Sequence, residues 1–239
     1  GQDSALAGVE LVSGVTYSST AFRNAITDAY TALLAVADIA AGEMSDDQMA
    51  AEAIGELLPS SLDNTGACKV EENDGLFVSS NRTGYAMVAD KVAYVTDAFG
   101  NYVGSKSFDD AASEDASVVE AVKTAAAGAY AAASEKNISR IVKMYKDAEV
   151  VTLTPTGVQS TVNGAYTFTS EGTTYYAMTA SAFGYGGPVN LLYIVDENGT
   201  IAKFKVMSHN ETEYYGDVVS QSSYTNGYPG QQLDSIGDD

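Results

Sequence analysis

The sequence is short of basic residues, cysteine and histidine. Of its 239 residues, 12 are Lys or Arg and 32 are Asp or Glu, which gives a formal net charge of −20. This deficit argues against nucleic-acid binding, which needs basic side chains to neutralise phosphates, and against adsorption on anionic lipid. Cys68 and His209 are the single residues of their types, so an intrachain disulfide, a cysteine metal cluster and a His–His metal site are excluded. No apolar run approaches the roughly 18 to 20 residues of a membrane span.

The remaining composition is that of a folded, exported protein. Hydrophobic residues make up 45% of the chain, enough for one large domain or two smaller ones. The chain begins at Gly1 without a methionine, which suggests a processed product. Strong acidity with abundant Ser, Thr, Tyr and Gly is typical of secreted bacterial surface proteins. We therefore expect the protein outside the cell or on the cell surface of a bacterium.

Hydrophobic spacing predicts both helices and strands. The predicted helices cover residues 18–42, a segment from Ser45 to before Pro59, residues 117–133 and a short segment through 138–145. The predicted strands cover residues 75–79, 85–95, 102–108, 150–154, 165–169, 175–183, 189–195 and 201–208. Residues 220–239 are polar and Gly-rich without periodicity, and would look frayed on their own.

A weak internal repeat runs through this pattern. Tyr85-Ala-Met87 matches Tyr176-Ala-Met178, and the segment 94–100 matches 193–199 in its Tyr, Asp and Gly positions. Residues 127–130 also echo residues 13–16, each before a predicted helix. The repeat predicts an α+β fold of two related modules, each with a mostly antiparallel twisted sheet and packed helices.

Three short motifs can bind a ligand. Ser13-Gly14-Val15-Thr16 runs into a helix, where amides and hydroxyls form a natural phosphate seat. Gly184-Tyr185-Gly186-Gly187 lets backbone approach a flat ligand while the tyrosine covers an apolar face. His209 and Glu211 lie two residues apart, and on a strand they would share one face. Taken alone, the first motif is also an ordinary helix cap and His209 an ordinary structural histidine.

Together the three motifs resemble the FMN-binding domain of the Rnf and Nqr electron-transfer subunits. In that family the FMN phosphate is esterified to the last Thr of a Ser/Thr-Gly-Ala-Thr motif by a dedicated flavin transferase. The resemblance implies covalent FMN on Thr16, in a turn shaped by Ser13 and Gly14. It implies further cofactor-binding residues in the other two motifs, namely Gly184, Tyr185, Gly186, Gly187, His209, Glu211 and Thr212. Val15 replaces the usual Ala, and residues 213–216 replace the usual Pro-Gly-Leu-Gly.

The motif order differs from that of the family, because the attachment motif comes first here instead of last. We therefore expect residues 150–239 and 1–42 to be two parts of one FMN-binding domain that is split or permuted. Residues 45–149 are then a degenerate second copy without flavin, since they lack the Gly-rich and His-x-Glu-Thr motifs and carry Tyr130 in place of the acceptor Thr.

Three arrangements could complete the split domain. The chain could close on itself as a permuted domain, or it could be a piece of a longer tandem array. Alternatively, residues 1–42 of one chain could complete the next chain, as donor strands do in pili. Such a head-to-tail contact does not close on itself and therefore generates filaments.

The resemblance implies an electron carrier and not an enzyme. We expect an extracellular flavoprotein with unidentified redox partners, which associates with itself in a filament and is matured by a flavin transferase. The alternative is a structural, pilin-like subunit that keeps the flavin fold without an essential redox role. A reductase fused to such a domain is the remaining possibility, but no reductase domain fits in this chain.

Overall fold

The structure of the protein is a computed structural model. It describes residues 44–58, 70–73, 75–79, 82–157, 161–213 and 216–235, together with residues 25, 26, 28, 29 and 32.

Two five-stranded antiparallel sheets and two longer helices make up most of the described chain, and the predicted α+β class is confirmed. Sheet 1 follows α1 (Asp46–Leu57) and contains β1 (Val70–Asn73), β2 (Leu76–Ser79), β3 (Gly84–Ala89), β4 (Val92–Asp97) and β5 (Tyr102–Ser107). Sheet 2 follows α2 (Ala116–Met144) and contains β6 (Val151–Thr152), β7 (Val162–Ser170), β8 (Thr173–Phe183), β9 (Pro188–Asp196) and β10 (Ile201–Ser208). In both sheets the spatial order of the strands follows the chain, so each sheet is a simple meander.

The helix α1 begins where the sequence predicts it. The Ser45 hydroxyl accepts a hydrogen bond from the Gln48 N–H at 3.3 Å, and the Gln48 side chain accepts one from the Ser45 N–H at 2.9 Å. This reciprocal capping box satisfies two amides that the helix itself leaves without partners. The buried side of α1 places Ala53 and Ile54 against sheet 1.

A single long helix joins the two sheets. Val122 and Ala126 in its first half are fully buried against sheet 1, and Ile141 near its end is fully buried against sheet 2. The prediction of two separate helices in this region is therefore wrong. Asp115 caps one continuous helix at Ser117 N–H, and burial on both sheets stabilises its whole length.

Tyr130 lies in the interior of α2, so the prediction that residues 127–130 precede a helix is wrong. Its hydroxyl donates to the Leu153 carbonyl at 2.8 Å and accepts from the Ala165 N–H at 3.2 Å. The ring also packs edge-on against Phe99 at 5.1 Å. Tyr130 thus joins α2 to the edge of sheet 2.

Two further predictions are corrected by local geometry. The predicted strand 85–95 is a hairpin, because Asp90 and Lys91 both adopt positive φ, at 47° and 62°, in a two-residue turn. The predicted frayed tail is ordered through residue 235, in a 3₁₀ turn (Asp217–Ser220), a short helix α3 (Ser222–Thr225) and a second 3₁₀ turn (Leu233–Ser235). The segment 228–233 runs along β10, where Ile201 N–H donates to the Gln231 carbonyl at 2.9 Å.

The residues of the sequence repeat occupy equivalent places in the two sheets. Met87 pairs with Tyr94 between β3 and β4, and Met178 pairs with Tyr193 between β8 and β9. The geometry is that expected of a repeat, whereas common descent of the two modules stays a prediction.

Membrane-spanning helices and metal clusters are both absent from the described residues. No helix there has the length and apolar character that crossing a membrane requires. No group of three or more His, Cys, Asp or Glu side chains in the same part of the chain is placed to hold a metal ion.

Candidate functional site

The Gly184–Gly187 segment is the turn between β8 and β9. The strand pairing ends at Phe183 and Pro188, and Gly184 N–H donates to the Gly187 carbonyl at 2.8 Å. Gly187 has a φ of +132°, a conformation that side chains with a Cβ rarely adopt. The turn therefore depends on glycine, and it places Tyr185 at its tip with 40% of the residue exposed.

The His209–Thr212 segment lies beside this turn. Because β10 pairs with β9, the residues after β10 reach the end of the sheet at which β8 and β9 are joined. Gly187 accordingly lies near Asn210, and Gly186 N–H donates to Glu211 Oε1 at 3.2 Å. The fold thus brings together two motifs that stand more than 20 residues apart in the sequence.

His209 and Glu211 do not lie on a strand, so the predicted arrangement of both side chains on one strand face is wrong. Pairing ends at Ser208 after a register shift that begins at Val206, and the chain then leaves the sheet. Glu211 N–H instead donates to His209 Nδ1 at 3.2 Å. When the imidazole is neutral, its proton is therefore on Nε2, and that atom is a donor.

Glu211 fills the space between three glycines. A Cβ at residue 184 would overlap Glu211 Oε1, and a Cβ at residue 216 would stand 2.8 Å from both Cβ and Oε2 of Glu211. A Cβ at residue 186 would overlap the backbone carbonyl of Asn210. The carboxylate, the turn and the loop after β10 are therefore packed together at backbone distance.

Thr212 closes the loop after β10 through its backbone. Its carbonyl accepts hydrogen bonds from Gly216 N–H at 2.9 Å and Asp217 N–H at 3.2 Å, which brings Gly216 back to Glu211. The Thr212 side chain is exposed. Asn210 and Gly216 also belong to this site, although the motifs did not predict them. The glycine that ends the 213–216 segment was the available signal for Gly216.

Sheet 2 carries an apolar surface on the face opposite the α2 packing, which we call the second face. Met178 lies opposite Tyr193 and Ala180 opposite Leu191, and Val206 of β10 lies opposite Leu191 on the other side. These five side chains are half-buried, and the buried clusters of the described residues include none of them. Burial raises the pKa of Tyr193, whose hydroxyl donates to Met178 Sδ at 3.4 Å.

On its β10 side the second face is covered by the tail. Tyr228 stacks on Phe204 with 4.2 Å between ring centroids, and its hydroxyl donates to that of Tyr224 at 2.9 Å. This hydrogen bond, together with burial, raises the pKa of Tyr228 to about 12.

The predicted attachment residues Ser13, Gly14 and Thr16 lie outside the described residues. Of the helix predicted over 18–42, five residues are described, all helical and all exposed. One of them is Ile26, with 40% of the residue exposed.

The equivalent end of sheet 1 is built differently. Its β3–β4 connection is the two-residue turn Asp90–Lys91 in place of four residues with three glycines. Phe108 N–H donates to the Lys91 carbonyl at 3.0 Å, and the Lys91 ammonium pairs with Asp109 at 3.4 Å. The turn and the following loop therefore contact each other directly.

Comparison with known proteins agrees with the motifs. Residues 184–238 match the family described as FMN-binding domain. A stretch of 61 residues is 33% identical to a component of the proton-translocating ferredoxin:NAD(+) oxidoreductase complex of Clostridium ljungdahlii. That match covers 26% of this chain and 33% of the relative, so it spans about a third of the relative's length.

Proposed function

We propose, since residues 184–238 match the FMN-binding domain family, that this protein is a flavoprotein that carries electrons. The observation that carries the proposal is the contact between the Gly184–Gly187 turn and the loop at 209–212, made through Gly186 N–H and Glu211. The relative from Clostridium ljungdahlii is named as a component of an oxidoreductase complex, which supports a redox role here.

The residues at this end of sheet 2 suit a flat aromatic group with a polar edge. Tyr185 offers an exposed ring at the tip of a glycine turn, and His209 offers an Nε2 donor because its Nδ1 is already used. Thr212 adds an exposed hydroxyl. FMN, when bound, supplies the one- and two-electron chemistry, and the protein holds and orients it.

The attachment is proposed to be a phosphoester to Thr16, in the turn formed with Ser13 and Gly14 and installed by a flavin transferase. The motif Ser-Gly-Val-Thr before a helical segment supports this assignment. A tether keeps the cofactor on a protein that works outside the cell, where free flavin would diffuse away. The chain itself carries electrons between redox partners and performs no substrate chemistry.

The domain is proposed to be completed between chains, with residues 18–42 of one chain bound to the second face of the next. Met178, Leu191, Val206 and their neighbours form a half-buried apolar surface, and apolar burial is the main driving force of association. Residues 18–42 have amphipathic spacing, and the described residues among them, Ile26 included, are exposed on their own chain. Docking of this segment on the second face of the next chain would produce a head-to-tail filament.

Residues 45–149 are proposed to be a related module that carries no flavin. The direct contact between the Asp90–Lys91 turn and the residues after β5 supports this, because it replaces the glycine turn of the other sheet.

Intact mass tests the carrier function. Protein coexpressed with a flavin transferase is expected to gain the mass of one FMN less one water, with flavin fluorescence retained on a denaturing gel. Thr16→Ala is expected to abolish both signals, whereas Thr20→Ala, which changes a neighbouring threonine of the same segment, is expected to retain them. Unmodified wild-type mass under these conditions would favour the structural filament subunit without a redox role.

A further inference from the structure

Glu211 is held in place both through its carboxylate and through its backbone N–H. Its Oε1 accepts the Gly186 N–H at 3.2 Å, and its own N–H donates to His209 Nδ1 at 3.2 Å. The side chain occupies the space that a Cβ on residue 184 or 216 would need. Glu211 is therefore in contact with the turn before β9, the loop after β10 and the start of the tail.

We infer that Glu211 is a positioning residue and not a ligand of the flavin. It fixes the Gly184–Gly187 turn against the loop after β10, so that the Tyr185 ring and His209 Nε2 face the bound group in a constant geometry. The identity of that group rests on the proposed function. The hydrogen bond from Gly186 N–H to the Glu211 carboxylate, which we call the clasp, is a property of the protein without ligand.

A carboxylate suits this position because all its lone pairs accept. A hydrogen bond from an amide to an ionised carboxylate is stronger than one between neutral groups. Glutamine retains the accepting Oε1 but loses the charge, so Glu211→Gln is expected to keep a weakened clasp. Alanine removes the acceptor and leaves the Gly186 N–H to water.

Amide hydrogen exchange measured by NMR tests this on the protein without flavin. Glu211→Ala is expected to accelerate exchange at Gly186 by about tenfold or more, the loss expected for a hydrogen bond to a charged group. Glu211→Gln is expected to fall between Glu211→Ala and the wild type. Glu213→Ala removes an equal charge two residues away from an exposed position, and is expected to leave Gly186 unchanged.

Equal exchange rates at Gly186 in the wild type, Glu211→Gln and Glu211→Ala would overturn the inference. If Glu211→Ala fails to fold, an NMR measurement on the wild-type protein over a range of pH tests the inference instead. The Gly186 amide shift is then expected to follow the titration of the Glu211 carboxyl measured by its own carbon shift. A Gly186 shift that stays constant through that titration would overturn the inference equally.

A second readout separates positioning from direct ligation. In flavin-loaded protein, Glu211→Gln is expected to shift the flavin midpoint potential about as little as Glu213→Ala, which removes an equal charge in the same loop. A large potential shift with Gly186 still protected would make Glu211 a ligand and overturn the inference. If the wild type carries no flavin but the exchange results hold, the clasp stands and the proposed function fails.

Discussion

Asp97 and Asp196 make the same hydrogen bonds in the two sheets. Each Oδ1 accepts from the N–H two residues and four residues later, at 2.8 and 2.9 Å for Asp97 and at 2.9 Å twice for Asp196. Each turn also has a glycine at its fourth position, with φ of +85° for Gly100 and +82° for Gly199. The turn after β4 and the turn after β9 thus have the same construction, although one lies against a helix and the other against the tail.

Gly100 and Gly199 share one backbone conformation but have different neighbours, so replacing each by alanine separates backbone strain from packing. Gly199→Ala is expected to cost about 1 kcal/mol in the free energy of unfolding, the penalty of a left-handed alanine. Gly100→Ala is expected to cost clearly more, because its new Cβ would meet the Ala127 backbone nitrogen of α2 at 3.1 Å. The atom nearest to a Cβ at residue 199 is 3.6 Å away. Urea unfolding of both variants measures this; equal costs would contradict it.

Alkaline pH should weaken the contact between α2 and sheet 2. Burial raises the pKa of Tyr130 from 10.0 to about 12. The unfolded chain therefore loses the phenol proton first, so the stability contributed by neutral Tyr130 is full below about pH 10 and is lost as the pH rises through about 12. Tyr130→Phe is expected to reduce the fall of unfolding free energy across this range, while Tyr176→Phe, at an exposed position, is expected to leave it as in the wild type.

Tyr130→Phe is also expected to be destabilising at neutral pH. The variant leaves the Leu153 carbonyl and the Ala165 N–H without the hydroxyl that joins them to α2. A buried polar group without a partner costs about 1 to 3 kcal/mol, which urea unfolding at pH 7 would measure. A loss as small as that of Tyr176→Phe would mean that the hydroxyl contributes nothing.

Assembly should depend on the second face. Leu191→Lys places a charge among Ala180, Val206 and their neighbours, and is expected to weaken association by about tenfold or more, because burial of a leucine contributes about 1.5 to 3 kcal/mol. Val151→Lys changes a residue that is 57% exposed on the edge strand β6, and is expected to assemble as the wild type does.

Light scattering over a concentration series, with electron microscopy of the largest species, measures this assembly. Wild-type protein that stays monomeric throughout would contradict the filament, and equal assembly of both lysine variants would contradict the second face as its contact.

The capping box gives a local prediction. Ser45→Ala is expected to cost about 1 kcal/mol of unfolding free energy, since the Gln48 N–H loses its acceptor. Gln48→Glu keeps the reciprocal acceptor and serves as the conservative control. Thermal unfolding at neutral pH distinguishes them, and a stable Ser45→Ala would show that α1 is held by its packing alone.

Elements with a local cause were predictable from sequence. The Ser45–Gln48 box set the start of α1, and alternation set β10 at 201–208 as observed. The hairpin within 85–95 was missed because its turn consists of Asp90 and Lys91, which carry none of the usual glycine or asparagine signal. The tail was missed because its order comes from stacking on Phe204 and from hydrogen bonds to β10, and neither leaves a periodic pattern.

The sequence by itself determined the chemical character of the site. Glycines at 184, 186 and 187 and the His-x-Glu-Thr motif are local patterns, and they sufficed to indicate an FMN-binding segment. Only the tertiary structure decided which of these residues contact one another. The pairing of β9 with β8 and β10 brings Glu211 to Gly186, because contacts between strands depend on register and not on spacing along the chain.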